Sequence, residues 1–423
     1  MKGRGRSVAA QPRLAGVVVA HAVIDFFSFI IIPILTVLEG RLEFSPQQGA
    51  LLLAIGSICS GVIQPIVALL SDRYDTRWFG TLGFVFAVLA ISVTGLAQEY
   101  WHLVLIQIVG TAGVGAFHPV AAAAMGHLSG KRRSLGVAIF FAAGMLGGIA
   151  GSAITPHYTK AFGVPALVWL LFPGMLTVAL LAWATHDAPH RAHGASEAHA
   201  ALTPLERRAR WTAVAILYVS NALRFTVNMM LVQLVIRWSE TTSLARAGTV
   251  VLDEHTRSVA STIGGPLQAA MQIGMGAAGL AAGAFLRARD ERTALVVIPM
   301  LGMLAIAAFP LVESPAAAFV LTALAGAGFA GVLPLTISLA QRLLPHRTSL
   351  ASGLMMGGAW SVAAIGPPLA QAIYQRSGQG PAFWCTAGLL GLAGLLGMLI
   401  APSALRVDSS GVLHPHAGSG VPE

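Results

Sequence analysis

Charged residues and cysteines are scarce in this chain. Only 10% of its 423 residues are Asp, Glu, Lys or Arg, against about a quarter in an average soluble domain. Hydrophobic residues make up 56%, and the mean hydropathy is +0.74. The two cysteines, Cys59 and Cys385, lie in separate apolar stretches and provide neither a metal-binding spacing nor a disulfide framework. This composition excludes a soluble globular protein and predicts a polytopic membrane protein.

Several chemical motifs are also missing. No nucleotide-binding loop occurs, which argues against ATP-driven pumping, and no H-E-x-x-H motif supports intramembrane zinc chemistry. The net charge of +9 comes from basic residues dispersed among short loops rather than gathered on a phosphate-binding face. We therefore predict no enzymatic activity, no cofactor, no metal site and no nucleic-acid partner.

Apolar stretches long enough to span a bilayer recur along the chain. About 20 apolar residues are needed for one crossing, and this rule predicts twelve transmembrane helices at residues 14–38, 48–71, 78–97, 102–125, 134–156, 164–184, 211–237, 259–286, 293–312, 315–341, 349–374 and 381–401. The predicted domains are an N-terminal segment (1–13), a six-helix bundle (14–184), a linker (185–210), a second six-helix bundle (211–401) and a disordered tail (402–423). A loop of about 238–258 is expected after the seventh span.

The distribution of basic residues predicts the orientation. With the N-terminus in the cytoplasm, the cytoplasmic segments hold 19 Lys and Arg residues and the opposite loops hold 6, while Arg224 lies within a span. This asymmetry follows the positive-inside rule. We expect a cell-membrane protein with both termini and the 185–210 linker in the cytoplasm.

The two predicted bundles are related in sequence. A shift of 215 residues aligns Gly113 with Gly328, Pro119 with Pro334, and Gly151 with Gly366. One register that holds across two spans and their basic loop favours a true internal repeat over chance. Parallel repeats of six spans are typical of one transporter architecture, in which the substrate path runs between two pseudo-symmetric halves.

The loop after the second span carries a motif. It reads "ALLSDRYDTRW" (68–78) and resembles the loop signature of the major facilitator superfamily at Asp72, Arg73 and Arg77. Ala68 departs from that signature. An acid at a helix end and nearby guanidinium groups can hold neighbouring helices together in one transporter state and release them in another. We interpret these residues as a gating loop, against the simpler reading of an ordinary basic loop.

A narrower resemblance rests on longer stretches. "AHAVIDFFSFIIIPIL", "GTAGVGAFHPVAAAAMGHLSGKRRSLGVAIFFAAGMLGG" and "SNALRF" are similar to segments of facilitators of the fosmidomycin-resistance type. The resemblance covers most of residues 13–400. It implies a proton-coupled exporter of small organic compounds. Phe26 and Phe27 stand where a tyrosine-bearing stretch is usual.

Few polar side chains fall deep inside the predicted spans. Asp25 is the only deep carboxylate and Arg224 the only deep guanidinium, because the other acids map to loops or helix ends. His21 and Asp25 share one helical face, as do Asn221, Arg224 and Asn228. An ionisable group at this depth is a functional candidate. We predict that Asp25, His21 and Arg224 couple transport to protons, since a movement of Arg224 would change the proton affinity of Asp25.

Other polar and small residues complete the predicted site. The cavity candidates are His118, Gln107, Asn221, Asn228 and Gln64. In the fifth span, Gly144, Gly147, Gly148 and Gly151 recur at four-residue spacing and predict close helix packing. Gly279 and Gly283 repeat that spacing in the eighth span.

Alternatives remain open for both the site and the function. Asp25 and Arg224 could form a permanent ion pair that only stabilises the fold. The preferred function is a monomeric, proton-coupled exporter of a small organic compound. The same scaffold would also suit an uptake symporter or a uniporter, and a non-transporting receptor or scaffold is the alternative of a different class.

Overall fold

The described part of the chain is mostly helical. A computed structural model describes residues 5–71, 74, 77–129, 133–186, 204–344 and 347–401. Its α-helices are α1 (Gly5–Ser28), α2 (Leu35–Arg41), α3 (Pro46–Ser71), α4 (Arg77–Ser92), α5 (Tyr100–Leu128), α6 (Arg133–Phe162), α7 (Leu171–Thr185), α8 (Pro204–Ala247), α9 (Glu254–Phe285), α10 (Glu291–Ala308), α11 (Pro315–Ala330), α12 (Leu333–Leu343), α13 (Thr348–Gly353), α14 (Ala359–Val362), α15 (Gly366–Ser377) and α16 (Gln379–Leu395). A π-helical turn, Leu354–Gly358, lies between α13 and α14.

Ten helical segments of the described chain are long and apolar enough to cross a membrane. They are Pro46–Ser71, Trp78–Leu96, Tyr100–Leu128, Ala138–Phe162, Val164–Thr185, Pro204–Ala247, Glu291–Leu311, Pro315–Leu343, Leu350–Ser377 and Gln379–Leu399. The prediction of an all-α, multi-pass membrane protein is confirmed. Two further long helices, α1 and α9, lie on either side of α6, where Gly147 of α6 faces α1 and Ser152 faces Gly265 of α9.

The first predicted span is not one helix. We expected continuity over 14–38, but α1 ends at Ser28, and residues 29–34 form turns before α2 begins at Leu35. Pro33 explains the break, because proline has no N–H to donate and disfavours helical geometry at the residue before it. The freed carbonyl oxygen of Pro33 accepts a hydrogen bond from Ser261 Oγ at 2.8 Å. The backbone exposed by the break is thus bonded to α9.

The predicted loop at 238–258 is also wrong, because most of it is helical. α8 continues to Ala247 and α9 begins at Glu254, which leaves only 248–253 as a connection. Neither Gly nor Pro occurs from 205 to 247, so nothing in the sequence interrupts α8. Gly248 then ends the helix with a φ of 63°.

Asp253 caps the start of α9. Its Oδ1 accepts a hydrogen bond from the backbone N–H of Thr256 at 2.8 Å and another from the Thr256 hydroxyl. These hydrogen bonds hold the pKa of Asp253 below its usual value, and the bond from the backbone N–H of Thr256 has the largest effect. The cap explains why a new helix begins so soon after the end of α8.

The glycines of α6 bring its backbone against α1. A Cβ built on Gly147 would overlap the carbonyl oxygen of Ala22, and one built on Gly151 would lie 2.5 Å from the carbonyl oxygen of Phe26. A Cβ built on Gly148 would lie 3.1 Å from the ring of Phe29. The second small-residue pair behaves differently, because a Cβ on Gly283 of α9 would meet nothing within 4 Å. The four-residue spacing in α9 therefore marks no close packing at Gly283.

The residues related by the sequence repeat make related contacts. A Cβ on Gly83 of α4 would lie 2.6 Å from the carbonyl oxygen of Gly113 in α5, and a Cβ on Gly302 of α10 would lie 2.6 Å from Cα of Gly328 in α11. Each pair is a glycine-to-glycine crossing of adjacent helices. Gly151 faces α1 and its repeat partner Gly366 faces Thr226 of α8. Residues matched by the shift therefore occupy matching positions in the packing.

Candidate functional site

Three ionisable side chains converge where α1 meets α5. Asp25 Oδ2 lies 3.4 Å from Nε2 of His21, one turn earlier on α1. Asp25 Oδ1 lies 3.2 Å from Nε2 of His118 on α5. The three ligand-type atoms all lie within 4.8 Å of one another. We call His21, Asp25 and His118 the Asp25 cluster.

Both imidazole rings are oriented by backbone carbonyls. Nδ1 of His21 lies 2.6 Å from the carbonyl oxygen of Phe140, and Nδ1 of His118 lies 2.8 Å from that of Val114. A carbonyl oxygen only accepts hydrogen bonds, so each Nδ1 must carry the proton. A neutral ring then presents the lone pair of Nε2 to the carboxylate. A lone pair facing a carboxylate is repulsive unless a cation, such as a proton, lies between them.

Packing holds the cluster in this arrangement. The His21 ring is 2% exposed and stacks on Phe140 with ring centroids 3.7 Å apart. Gly144 of α6 lies directly beside the cluster, since a Cβ there would be 2.5 Å from Asp25 Oδ2 and 2.6 Å from His21 Nε2. Asp25 keeps 13% of its side-chain surface exposed and His118 keeps 23%. The cluster is therefore closely packed on the His21 side and partly exposed on the His118 side.

Arg224 does not pair with Asp25 in the described structure. Its guanidinium is buried and donates to Asn221 Oδ1 at 3.4 Å and to the carbonyl oxygen of Leu295 at 3.3 Å. Among the described residues, its Nε has no hydrogen-bond partner. Among the residues that the structure describes, the ionic contacts of Asp25 are those to His21 and His118. This conformation therefore does not contain the alternative Asp25–Arg224 ion pair.

The remaining predicted cavity residues lie outside the Asp25 cluster, in contacts between or within other helices. Asn221 donates to Thr336 Oγ1 at 2.9 Å and to the carbonyl oxygen of Met355. Gln107 is buried against Gly56, and Gln64 donates to Ser60 Oγ at 3.3 Å. Asn228 is also buried. The structure thus gathers only His21, Asp25 and His118 of the predicted residues into one cluster.

Most of the predicted gating loop lies outside the described residues. Asp72 and Arg73 lie outside the described residues, and Arg77 is described only as the first residue of α4. Their role as a gate stays a prediction.

A second cluster of buried charged side chains was not predicted from the sequence. Arg237 Nη1 donates to Glu39 Oε2 at 3.1 Å and to Glu240 Oε2 at 2.9 Å, while Arg237 Nη2 makes a short bond with Glu39 Oε1. Arg257 Nη1 lies 3.8 Å from Glu39 Oε2. Glu39, Arg237 and Glu240 are all buried, so Asp25 and Arg224 are not the only buried charges. We call Glu39, Arg237, Glu240 and Arg257 the Glu39 cluster.

The Glu39 cluster joins distant parts of the chain. Glu39 belongs to α2, whereas Arg237 and Glu240 belong to α8 and Arg257 to α9. Arg257 also donates to the carbonyl oxygen of Thr36 at 3.0 Å. Nearby, Gln47 Nε2 donates to Gln375 Oε1 at 2.6 Å. This end of the bundle is therefore closed by polar contacts between the N-terminal and C-terminal spans.

Comparison with known proteins identifies the family. Residues 17–252 match the Major Facilitator Superfamily, and the chain belongs to that superfamily. It is 22% identical over 358 residues to the fosmidomycin resistance protein of Escherichia coli (strain K12), covering 84% of each chain. The predicted resemblance to that type of facilitator is confirmed.

Solved structures show the same fold. A bacterial homologue of the human lysosomal transporter Spinster, in an inward-facing and unoccupied conformation, matches with a TM-score of 0.69 at 15% identity, over 98% of this chain and 100% of that one. The nucleoside transporter NupG matches with a TM-score of 0.67 at 13% identity, over 92% of this chain and 99% of that one. The family and fold are those of a transporter and not of an enzyme.

Proposed function

We propose that this protein is a secondary active transporter that exports a small organic compound in exchange for protons. Superfamily membership supports transport of a small molecule across a membrane. The similarity to a protein named for fosmidomycin resistance supports export. The observation that carries proton coupling is the Asp25 cluster, a carboxylate held between two imidazole rings inside the helix bundle.

We further propose twelve transmembrane helices in two pseudo-symmetric halves, residues 14–184 and 211–401. The paired glycine crossings at Gly83–Gly113 and Gly302–Gly328 support this repeat. In this arrangement α1 with α2 forms the first span and α9 forms the eighth. The excess of basic residues on one side supports cytoplasmic termini in the cell membrane, and the protein acts as a monomer.

Coupling works by alternating access in this proposal. The Glu39 cluster closes the outer end between the halves, and the Asp25 cluster faces the inner side. A proton shared among Asp25, His21 and His118 is released inward, and substrate leaves outward in the opposite state. Arg224, whose guanidinium donates to Asn221 and to the carbonyl oxygen of Leu295, adjusts the proton affinity of the cluster when the halves move.

The test is transport by Asp25→Asn in inverted membrane vesicles with an imposed pH gradient. Asparagine keeps the size of the side chain but cannot exchange a proton. We expect driven accumulation of substrate to be abolished, while energy-independent exchange survives. Glu99→Gln removes an exposed carboxylate outside the cluster and serves as the matched control, with transport unchanged.

Three outcomes would contradict the proposal. Driven transport by Asp25→Asn at the wild-type level would remove Asp25 from coupling. Recovery of driven transport in the charge-free double variant Asp25→Asn with Arg224→Gln would show that the two residues only balance each other's charge. Depletion rather than accumulation of substrate in inverted vesicles would replace export with uptake.

A further inference from the structure

We propose that His21, Asp25 and His118 form a binding site for one divalent transition-metal ion, with Zn²⁺ as the best-suited ion. The inference concerns metal binding to the resting protein, so it does not depend on the direction or coupling of transport. A metal ion and the proposed coupling proton would compete for the same three side chains.

The separations between ligand atoms suit a small cation. Zinc binds histidine nitrogen and carboxylate oxygen at about 2.0–2.2 Å, so adjacent ligands of a tetrahedral site lie about 3.3–3.5 Å apart. His21 Nε2 lies 3.4 Å from Asp25 Oδ2 and His118 Nε2 lies 3.2 Å from Asp25 Oδ1, so each imidazole faces its own carboxylate oxygen. All three ligand atoms lie within 4.8 Å of one another. A small shift of His118, the more exposed ring, would complete the set.

The hydrogen bonds behind the ligands are those of a metal site. A metal-binding histidine commonly donates its other ring N–H to a backbone carbonyl, which fixes the tautomer. His21 and His118 both do so, through Phe140 and Val114. Both therefore point an Nε2 lone pair inward, at the same carboxylate. A divalent cation would relieve the repulsion between the two Nε2 lone pairs and the carboxylate.

The ligand types select the metal. Two imidazoles and one carboxylate suit zinc and its neighbours, whereas Ca²⁺ and Mg²⁺ prefer about six or more oxygen ligands. Three protein ligands leave a fourth tetrahedral position open. The partial exposure of Asp25 and His118 allows water or another donor to occupy that position. The sequence alone did not indicate this site, because its third ligand lies 93 residues after Asp25 on another helix.

The experiment is a Co²⁺ titration of the full-length purified protein, followed by visible absorption and then displaced with Zn²⁺. The wild type should bind one more tight equivalent than Asp25→Asn or His118→Gln. Loss of a ligand should exceed the roughly 10–100-fold weakening caused by loss of a ligand's hydrogen-bond partner. His157→Gln, an exposed histidine on α6, is the matched control and should bind like the wild type. The histidines of the 185–210 linker are present in every variant, so their contribution cancels.

A second measurement needs no variant. Diethylpyrocarbonate modifies accessible imidazoles, and Zn²⁺ bound at the cluster should slow the modification of His118 but not that of His157, as read by peptide mass spectrometry. Equal metal stoichiometry and affinity in wild type and cluster variants would overturn the proposal. So would an unchanged rate of modification at His118 in the presence of Zn²⁺.

Discussion

At the residue scale, glycines of α6 set the distance between α1 and α6, because they have no side chain where the two helices meet. Gly147 and Gly151 face the carbonyl oxygens of Ala22 and Phe26, and Gly144 faces the Asp25 cluster itself. Small residues at such crossings allow helix backbones to approach closely within a membrane. The same glycines therefore set the helix distance and the position of the proposed coupling residues.

Gly147→Ala should destabilise the protein. Its new Cβ would overlap the Ala22 carbonyl oxygen, which is backbone and cannot rotate away. Overpacking of this kind costs about 1–3 kcal/mol, so we expect a lower unfolding temperature in detergent. Gly283→Ala is the matched control because a Cβ there meets nothing within 4 Å. It should be neutral or stabilising, since alanine is the better helix former by about 1 kcal/mol. Equal effects of the two substitutions would refute this account of the packing.

At the element scale, α2 is tied to α8 and α9 by buried charge. Arg237 donates hydrogen bonds to both Glu39 and Glu240, so the cluster has one central guanidinium between two carboxylates. Removing one partner of a buried ion pair leaves an uncompensated charge. The element contact is therefore most sensitive to Arg237.

Arg237→Met should cost about 3–5 kcal/mol of stability, because it leaves Glu39 and Glu240 without their main partner. Glu39→Gln should cost less, since Arg237 keeps Glu240. Arg246→Met removes an exposed arginine from the same helix and should change little. Thermal unfolding in detergent would rank the three variants, and a loss as small for Arg237→Met as for Arg246→Met would contradict the role of the cluster.

The same substitution should loosen the closed end. Spin labels on the exposed positions Arg41 of α2 and Ala245 of α8 report the distance between these helices. In Arg237→Met we expect this distance distribution to shift to longer values. An identical distribution in wild type and variant would show that the Glu39 cluster does not hold this end closed.

Helical spacing predicted part of the site and missed the rest for identifiable reasons. His21 and Asp25 are four residues apart, so their shared face could be predicted from α1 alone. Their meeting with His118 depends on how α1 and α5 pack, which no local pattern contains. The Glu39 cluster was missed because the predicted seventh span ended at residue 237, which placed Glu240 in a loop. The three-residue spacing of Arg237 and Glu240 on one helix was the available signal.

At the scale of the whole molecule, the proposed orientation predicts which connections are accessible from outside the cell. The loop that was expected at 238–258 reduces to 248–253, where Val250 is 93% exposed. An epitope inserted after Val250 should react with antibody on intact cells. One inserted after Ala195, in the linker, should react only after permeabilisation. The reverse pattern would invert the proposed topology.

The length of α8 has a mechanical consequence. Its 44 residues extend over about 66 Å at 1.5 Å per residue, roughly twice the 30 Å thickness of the hydrocarbon core. Without proline or glycine after residue 204, it acts as a rigid lever with Arg224 near its middle. A tilt of about 10° around that point would move each end by about 6 Å in opposite directions, given this length. A small rotation at the centre of the membrane is thereby amplified at both surfaces at once.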